Sequence, residues 1–147
     1  MKYNDKQENI FGSKVSNIRA LIVSLDCEMI TSIQKEFDKK YMTLKNTLLQ
    51  TVESNNIKEP SCIIFEDPNS ADKVLLLFMK ERFFNRVSCE SASKAIKDME
   101  ILTKQEHIQE INIALSGSNL ESMEQTLICK YIKTTFEKTN VVLNVFR

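Results

Sequence analysis

A lysine stands at the end of the longest apolar run of the chain, where an amine could act as a nucleophile. Residues 74–79 (VLLLFM) form this strand-sized run, and Lys80 follows it directly. A lysine at a strand end near a cleft could act as a nucleophile if partial burial lowered its pKa. From the residues alone, a solvated lysine at a strand terminus is the favoured interpretation of Lys80.

A second stretch that could carry chemistry runs from Leu115 to Glu121 (LSGSNLE), between a predicted strand and a predicted helix. Gly117 tolerates a positive φ, and Asn119 tolerates it better than most residues. Free backbone N–H groups at such a helix start can bind a phosphate. However, Ser118 and Glu121 fit the S-x-x-E capping box, which needs no ligand, and the residues alone favour this structural interpretation.

Cysteine and histidine indicate little further chemistry. Cys27 follows a predicted strand and could be a reactive thiol at a helix start. A small buried residue is the favoured interpretation, because no histidine lies nearby in the sequence. The other cysteines, Cys62, Cys89 and Cys129, form no C-x-x-C pair, and His107 is the only histidine. We therefore expect four reduced thiols and no metal site.

Composition argues against several classes of function. The 147 residues predict one domain over residues 1–147. Twenty basic and twenty acidic side chains balance, so we expect no nucleic-acid partner and no membrane surface. No apolar run approaches the roughly 20 residues of a membrane span, and the polar N-terminus is unlike a secretory signal, so we expect a cytoplasmic and/or nuclear protein. Only Gly12 and Gly117 occur, which excludes a GxGxxG or Walker loop.

Short apolar runs alternate with amphipathic stretches along the chain. Buried strands are predicted at residues 19–25, 61–65, 72–79, 109–115 and 140–146. Helices are predicted at residues 28–41, 43–53, 88–105 and 119–137, with Asp26 capping the first and Ser88 the third. This alternation predicts an α/β sandwich whose ligands bind in the loops after the strands, at residues 24–30, 79–88 and 115–121.

The order and spacing of these elements resemble macro domains. Residues 23–41 are similar to the first phosphate-loop region of the branch that contains the terminal ADP-ribose glycohydrolase, also described as an O-acyl-ADP-ribose deacylase. That branch carries E-D-C-R-M-G-A-G-I-A and then F-K-K-K-F, and the matching residues are Asp26, Cys27, Met29, Ile33, Phe37, Lys39 and Lys40. Residues 72–147 follow the family's order of elements, with matches at Phe136, Glu137 and Thr139, whereas residues 42–71 align poorly.

The resemblance implies a three-layer α/β/α sandwich with a mixed central sheet. It also implies a monomer that takes ADP-ribose or an ADP-ribosylated protein and needs no metal or other cofactor. By resemblance, Lys80 attacks the anomeric carbon of the distal ribose, and Glu121 stands where the family has its catalytic aspartate. The resemblance places substrate contacts at Asn9, Ile10, Ser24, Met29, Ile30, Thr31, Ser32, Ile33, Leu115, Ser116, Gly117, Ser118, Asn119 and Leu120.

Several of these positions depart from the family's pattern. Glu121 carries its carboxylate one methylene farther out than an aspartate, and Asn9 replaces an aspartate that contacts adenine. Ile30 and Ser32 replace both glycines of the first loop. In the second loop the departures are Leu115 and Asn119. Because a β-branched residue avoids positive φ and fills space, we expect Ile30 to narrow the channel for the diphosphate.

Two functions follow from this pattern. A divergent ADP-ribosyl hydrolase is supported by Lys80 and Glu121. A catalytically inactive pseudo-macro domain, acting as a binding or interaction module with a degenerate phosphate pocket, is supported by Asn9, Ile30 and Ser32. A third hypothesis, a pocket adapted to another nucleotide or a nucleic-acid end, gains nothing from the neutral net charge. The sequence leaves open whether the chain is an enzyme.

Overall fold

A computed structural model describes residues 1–12 and 14–147 and places six strands in one mixed sheet. The strands are β1 (Lys2–Lys6), β2 (Ile18–Ser24), β3 (Ser61–Glu66), β4 (Lys73–Lys80), β5 (Glu110–Ala114) and β6 (Val142–Phe146). Their order across the sheet is β1-β6-β5-β2-β4-β3. All neighbouring pairs are parallel except β3 and β4.

Helices cover both faces of the sheet. They are α1 (Ser32–Lys40), α2 (Leu44–Ser54), α3 (Cys89–Gln105) and α4 (Ser122–Phe136). Helices α1 and α2 pack on the face that carries Leu21 and Leu76, and α3 and α4 pack on the face that carries Ala20 and Leu77. The predicted three-layer α/β/α sandwich with a mixed sheet is confirmed. Among the described residues, no helix is both long and apolar enough to span a bilayer.

The edge strand β1 carries no apolar run, and the sequence pattern does not predict it. It pairs in parallel with β6, and a row of amides crosses the sheet beside this pairing. Asn4 Nδ2 donates to Asn144 Oδ1 at 2.9 Å, and Asn144 Nδ2 donates to Asn112 Oδ1 at 3.0 Å. Because buried amides need partners, this row favours the one register in which all three asparagines meet.

Helix α1 begins later than predicted, and its cap is Thr31 rather than Asp26. The Thr31 hydroxyl accepts the N–H of Gln34 at 3.3 Å, and Gln34 Oε1 accepts the N–H of Thr31 at 3.1 Å. The Asp26 carboxylate instead accepts the backbone N–H groups of Glu28 at 3.2 Å and Phe83 at 2.9 Å. Asp26 therefore binds the backbone of a distant loop and does not cap α1.

Helix α4 also begins later than predicted, and the capping box expected between Ser118 and Glu121 is wrong. The Ser118 hydroxyl donates to the carbonyl oxygen of Leu115. Glu121 is itself the cap, and its N–H donates to Glu124 Oε1 at 3.0 Å. The capping interaction at the start of α4 therefore joins Glu121 and Glu124, not Ser118 and Glu121.

The chain leaves the neighbouring strands β2 and β5 toward opposite faces of the sheet. Strand β2 leads to α1 on one face, and β5 leads to α4 on the other. Where adjacent parallel strands diverge in this way, a crevice opens at their carboxyl ends. The fold therefore places a cleft between two of the three loops that the sequence pattern indicated.

Candidate functional site

An open cavity of about 280 Å³ lies at this divergence. Its walls come from the loop after β1, the start of α1, and the ends of β5 and β6. The lining residues are Gln7, Glu8, Asn9, Ile10, Ser32, Ile33, Glu36, Ala114, Ser116, Gly117 and Phe146. Six of them, Asn9, Ile10, Ser32, Ile33, Ser116 and Gly117, are among the contacts implied by the resemblance.

A buried arginine holds the loop that carries Asn9 and Ile10. Arg19 on β2 is 4% exposed, and its Nε donates to the carbonyl oxygen of Ile10 at 3.0 Å. Its Nη1 donates to the Tyr41 hydroxyl at 2.9 Å and to Asp72 Oδ2 at 3.0 Å. Because a buried guanidinium stays charged, it requires such acceptors, and satisfying them fixes one wall of the cavity.

Lys80 lies in a second, much smaller cavity of about 20 Å³, which has room for about one water molecule. Lys80 is half-buried at the end of β4 and aligns with Ser24 at the end of β2. The residues that line this cavity are Ile22, Val23, Ser24, Thr31, Gln34, Lys80, Phe83 and Ser118. Among the described residues, none lines both cavities, and Lys80 lines only the smaller one.

The loops after β2 and β5 contact each other directly between the two cavities. Ser32 Oγ donates to the carbonyl oxygen of Gly117 at 3.1 Å, and the N–H of Ile33 donates to the same oxygen at 3.1 Å. A Cβ at Gly117 would lie 2.7 Å from Ser32 Oγ, and its φ of +75° also favours glycine. We call this contact the Ser32–Gly117 bridge.

The expectation that Ile30 narrows the channel is wrong. The Ile30 side chain is 46% exposed and lines neither cavity. The passage is closed by Ser32, the other residue that stands in place of a loop glycine. The physical difference is that the Ser32 hydroxyl donates across the gap to the backbone carbonyl of Gly117, whereas Ile30 is exposed to solvent.

Four backbone N–H groups in these loops already have partners within the protein. In the first turn of α1, the N–H groups of Ile33 and Gln34 donate to the facing loop and to the cap. The N–H groups of Leu115 and Ser116 both donate to the carbonyl oxygen of Phe146 at 2.8 Å. A diphosphate that used these donors would have to displace internal hydrogen bonds.

Glu121 lies at the start of α4 and does not line the Lys80 cavity. Its side chain is 55% exposed, and its Oε1 lies 3.2 Å from Arg86 Nη2. The loop that carries Arg86 is attached to α4 by Glu124, whose Oε2 accepts the N–H of Val87 at 2.8 Å. The fold brings Lys80 and Glu121 to the same edge of the sheet, but the carboxylate pairs with an arginine there.

Asp26 ties the loop after β2 to the loop after β4. Its carboxylate accepts hydrogen bonds from the Ser24 hydroxyl and from the N–H groups of Glu28 and Phe83. Burial raises the pKa of Asp26, but these hydrogen bonds and the nearby charge of Arg82 outweigh burial, so the pKa lies below its ordinary value. Asp26 therefore acts as a charged acceptor that orders both loops.

Cys27 is a structural residue. Its side chain is 3% exposed. Burial raises the pKa of the Cys27 thiol, and the charges of Asp26 and Glu28 raise it further. All four cysteines are unpaired, as expected from the sequence. The interpretation of Cys27 as a small buried residue is confirmed, because a thiolate is disfavoured in this environment.

The remaining positions implied by the resemblance divide between core and surface. Met29, Leu115 and Leu120 are buried in the hydrophobic cores, where they support the loops. Asn119 is exposed and has a φ of +58°, so Asn119 and Gly117 both adopt the positive φ that their residue types tolerate.

Several residues that line the two cavities were not expected from the sequence, including two acids, a glutamine and a phenylalanine. Glu8 and Glu36 line the open cavity, and Gln34 and Phe83 line the small one. Gln34 Nε2 also donates to a carbonyl oxygen of β2 at 3.0 Å. The T-x-x-Q spacing that begins at Thr31 is a capping signal and could have revealed Gln34.

A larger cavity, about 690 Å³, lies at the opposite edge of the sheet. It is lined by the ends of α3 and α4 and by their connections to β5 and β6, including His107. Ligands of parallel sheets bind at the carboxyl ends of the strands rather than at this amino end. Within residues 1–12 and 14–147, no group of three or more His, Cys, Asp or Glu side chains could hold a metal ion.

No sequence-family model matches the chain, and no curated protein matches it in sequence. Solved structures match it closely in fold. The macrodomain of Thermus aquaticus DarG has a TM-score of 0.84 at 11% identity, covering 99% of this chain and 97% of that chain. The macrodomain of Mycobacterium tuberculosis DarG has a TM-score of 0.82 at 7% identity, covering 98% of this chain and 96% of that chain.

A third structure is Thermosipho africanus DarTG in complex with ADP-ribose. It has a TM-score of 0.76 at 10% identity, and the match covers 88% of this chain and 37% of that chain. Identities this low establish likeness of fold alone. The mixed six-stranded sheet, its two helical layers and these matches lead to one conclusion: the chain has the macrodomain fold.

Proposed function

We propose that this chain recognises ADP-ribose, free or attached to a protein, in the open cavity. The observation that carries the proposal is the position of the cavity, where β2 and β5 diverge, on a fold shared with a protein solved in complex with ADP-ribose. Ile10 and Phe146 supply apolar surface for a purine ring, and Asn9 and Ser116 supply polar groups at its margin.

Filling the cavity tests this proposal. Ser116 is exposed and lines the cavity, so Ser116→Tyr places a ring in the space of the ligand. We expect ADP-ribose affinity, measured by calorimetry, to fall about tenfold or more. Ser54→Tyr, at the exposed end of α2, is the matched control and leaves affinity unchanged. Absence of heat from the unaltered protein at millimolar concentrations contradicts the proposal.

A second candidate function, hydrolysis of ADP-ribose esters on acidic side chains or of O-acyl-ADP-ribose, rests on Lys80. Its amine is half-buried at a strand tip beside Ser24 and Gln34. In this reaction Lys80 Nζ bonds to the anomeric carbon of the distal ribose, and the carboxylate leaves with the electrons of the broken carbon–oxygen bond. The new C–N species gives a proton to water. A water molecule then bonds to the anomeric carbon as the C–N bond breaks, its proton passes to the departing lysine nitrogen, and ADP-ribose is released.

Lysine variants at the two ends of β4 separate catalysis from binding. If the chain is a hydrolase, release of ADP-ribose from a glutamate-modified peptide disappears in Lys80→Ala. Release persists in Lys73→Ala, because Lys73 lies at the other end of the strand, 3.7 Å from Glu66. Binding of ADP-ribose without any release by the unaltered protein identifies the catalytically inactive module instead.

A further inference from the structure

The open cavity has an unusual charge for a site that would take a diphosphate. Its only ionisable lining residues among those described are two acids, Glu8 and Glu36, and no lysine or arginine lines it. Glu8 has a distant partner in Lys6 at 3.8 Å. Both members of this pair are largely exposed, so it does little to offset the acids. A phosphate group in this cavity would face like charge, whereas a neutral nucleoside would not.

The passage out of the cavity toward Lys80 is closed by the Ser32–Gly117 bridge. Two hydrogen bonds converge on the carbonyl oxygen of Gly117, from Ser32 Oγ and from the N–H of Ile33. Beyond the bridge, the cavity beside Lys80 measures about 20 Å³, too small for a ribose ring. A ligand that reached both cavities would therefore have to separate the two loops first.

We infer that Ser32 determines which part of the ligand this site accepts. While the bridge is closed, the open cavity takes an uncharged purine nucleoside or the nucleoside end of a larger ligand. The diphosphate and the distal ribose gain no contacts. The bridge must open before the distal ribose can lie beside Lys80. This inference rests on the proposed recognition of ADP-ribose and names the portion of that ligand that is recognised.

Calorimetric titration with adenosine, adenosine monophosphate and ADP-ribose tests the inference. For the unaltered protein we expect adenosine to bind at least as tightly as the monophosphate, and ADP-ribose to bind within about threefold of adenosine. Ser32→Ala removes one of the two hydrogen bonds of the bridge. It should strengthen ADP-ribose binding about 3- to 10-fold relative to adenosine binding.

Ser122→Ala is the matched control, because Ser122 is the first residue of α4 as Ser32 is the first residue of α1. It should change none of the three affinities. If the unaltered protein binds ADP-ribose more than about tenfold more tightly than adenosine, the inference is overturned while recognition of ADP-ribose stands. If Ser32→Ala leaves the ratio of ADP-ribose affinity to adenosine affinity unchanged, the inference is also overturned. Failure of all three ligands to bind removes the proposed function and the inference with it.

Discussion

Replacement of Arg19 by methionine should remove the support of the cavity wall and destabilise the whole chain. Arg19 is paired with Asp72 at 3.0 Å, and the two side chains are 5% and 17% exposed. The guanidinium also donates to Tyr41 and to the backbone of Ile10. Arg19→Met fills similar volume but leaves Asp72 without its cation and the carbonyl of Ile10 without its donor.

The expected cost follows from this burial. Breaking a buried ion pair by removal of one partner costs about 3–5 kcal/mol. Asp72 keeps some access to water and its hydrogen bond from Tyr41 at 2.8 Å, so we expect a loss near the lower value, about 3 kcal/mol. For a urea m-value of about 2 kcal/mol/M, the unfolding midpoint falls by roughly 1.5 M with m unchanged.

Lys73→Met is the control, since its pair with Glu66 is long, at 3.7 Å, and its members are 33% and 67% exposed. Loss of such a surface pair costs less than about 1 kcal/mol. If Arg19→Met costs no more than Lys73→Met, the reasoning about the buried pair is refuted. Should Arg19→Met fail to fold, Tyr41→Phe removes one neutral hydroxyl at about 1 kcal/mol and tests the same network.

The remaining predictions concern titration and thiol access. The folded pKa of Asp26 is depressed, so its stabilisation is present above the unfolded pKa of about 3.9 and is lost as pH falls through the folded pKa. Between about pH 5 and about pH 3, the free energy of unfolding measured in urea should therefore fall less for Asp26→Asn than for the unaltered protein. Equal decreases in the two proteins would contradict this. Cys89 is the one exposed cysteine, so a thiol reagent should modify it rapidly. The buried thiols of Cys27, Cys62 and Cys129 should react only after denaturation. Rapid reaction of two or more cysteines would contradict this packing.

The central strands could be predicted because burial on both faces leaves continuous apolar runs such as residues 74–79. Strand β1 could not, because an edge strand buries little and Lys2–Lys6 is polar. Its position depends on pairing with β6 and on the amide of Asn144, which no local pattern reveals.

The candidate site was predictable in its location and less so in its detail. The rule that ligands of parallel sheets bind after the strands points to loops that line the two cavities, but not to the loop after β1. Whether the cleft is open toward Lys80 depends on tertiary contacts. The main one is the hydrogen bond from Ser32 to Gly117, which lie 85 residues apart in sequence. Sequence comparison marked Ile30 and Ser32 alike as lost glycines, and the structure distinguishes the exposed side chain from the one that closes the passage.

The most direct test of the account is an ADP-ribose titration followed by backbone amide chemical shifts. Recognition in the open cavity predicts shifts at Asn9, Ile10, Ser116 and Gly117, which line that space. Shifts that cluster around His107 and the ends of α3 and α4, or no shifts at millimolar ligand, would contradict the central claim.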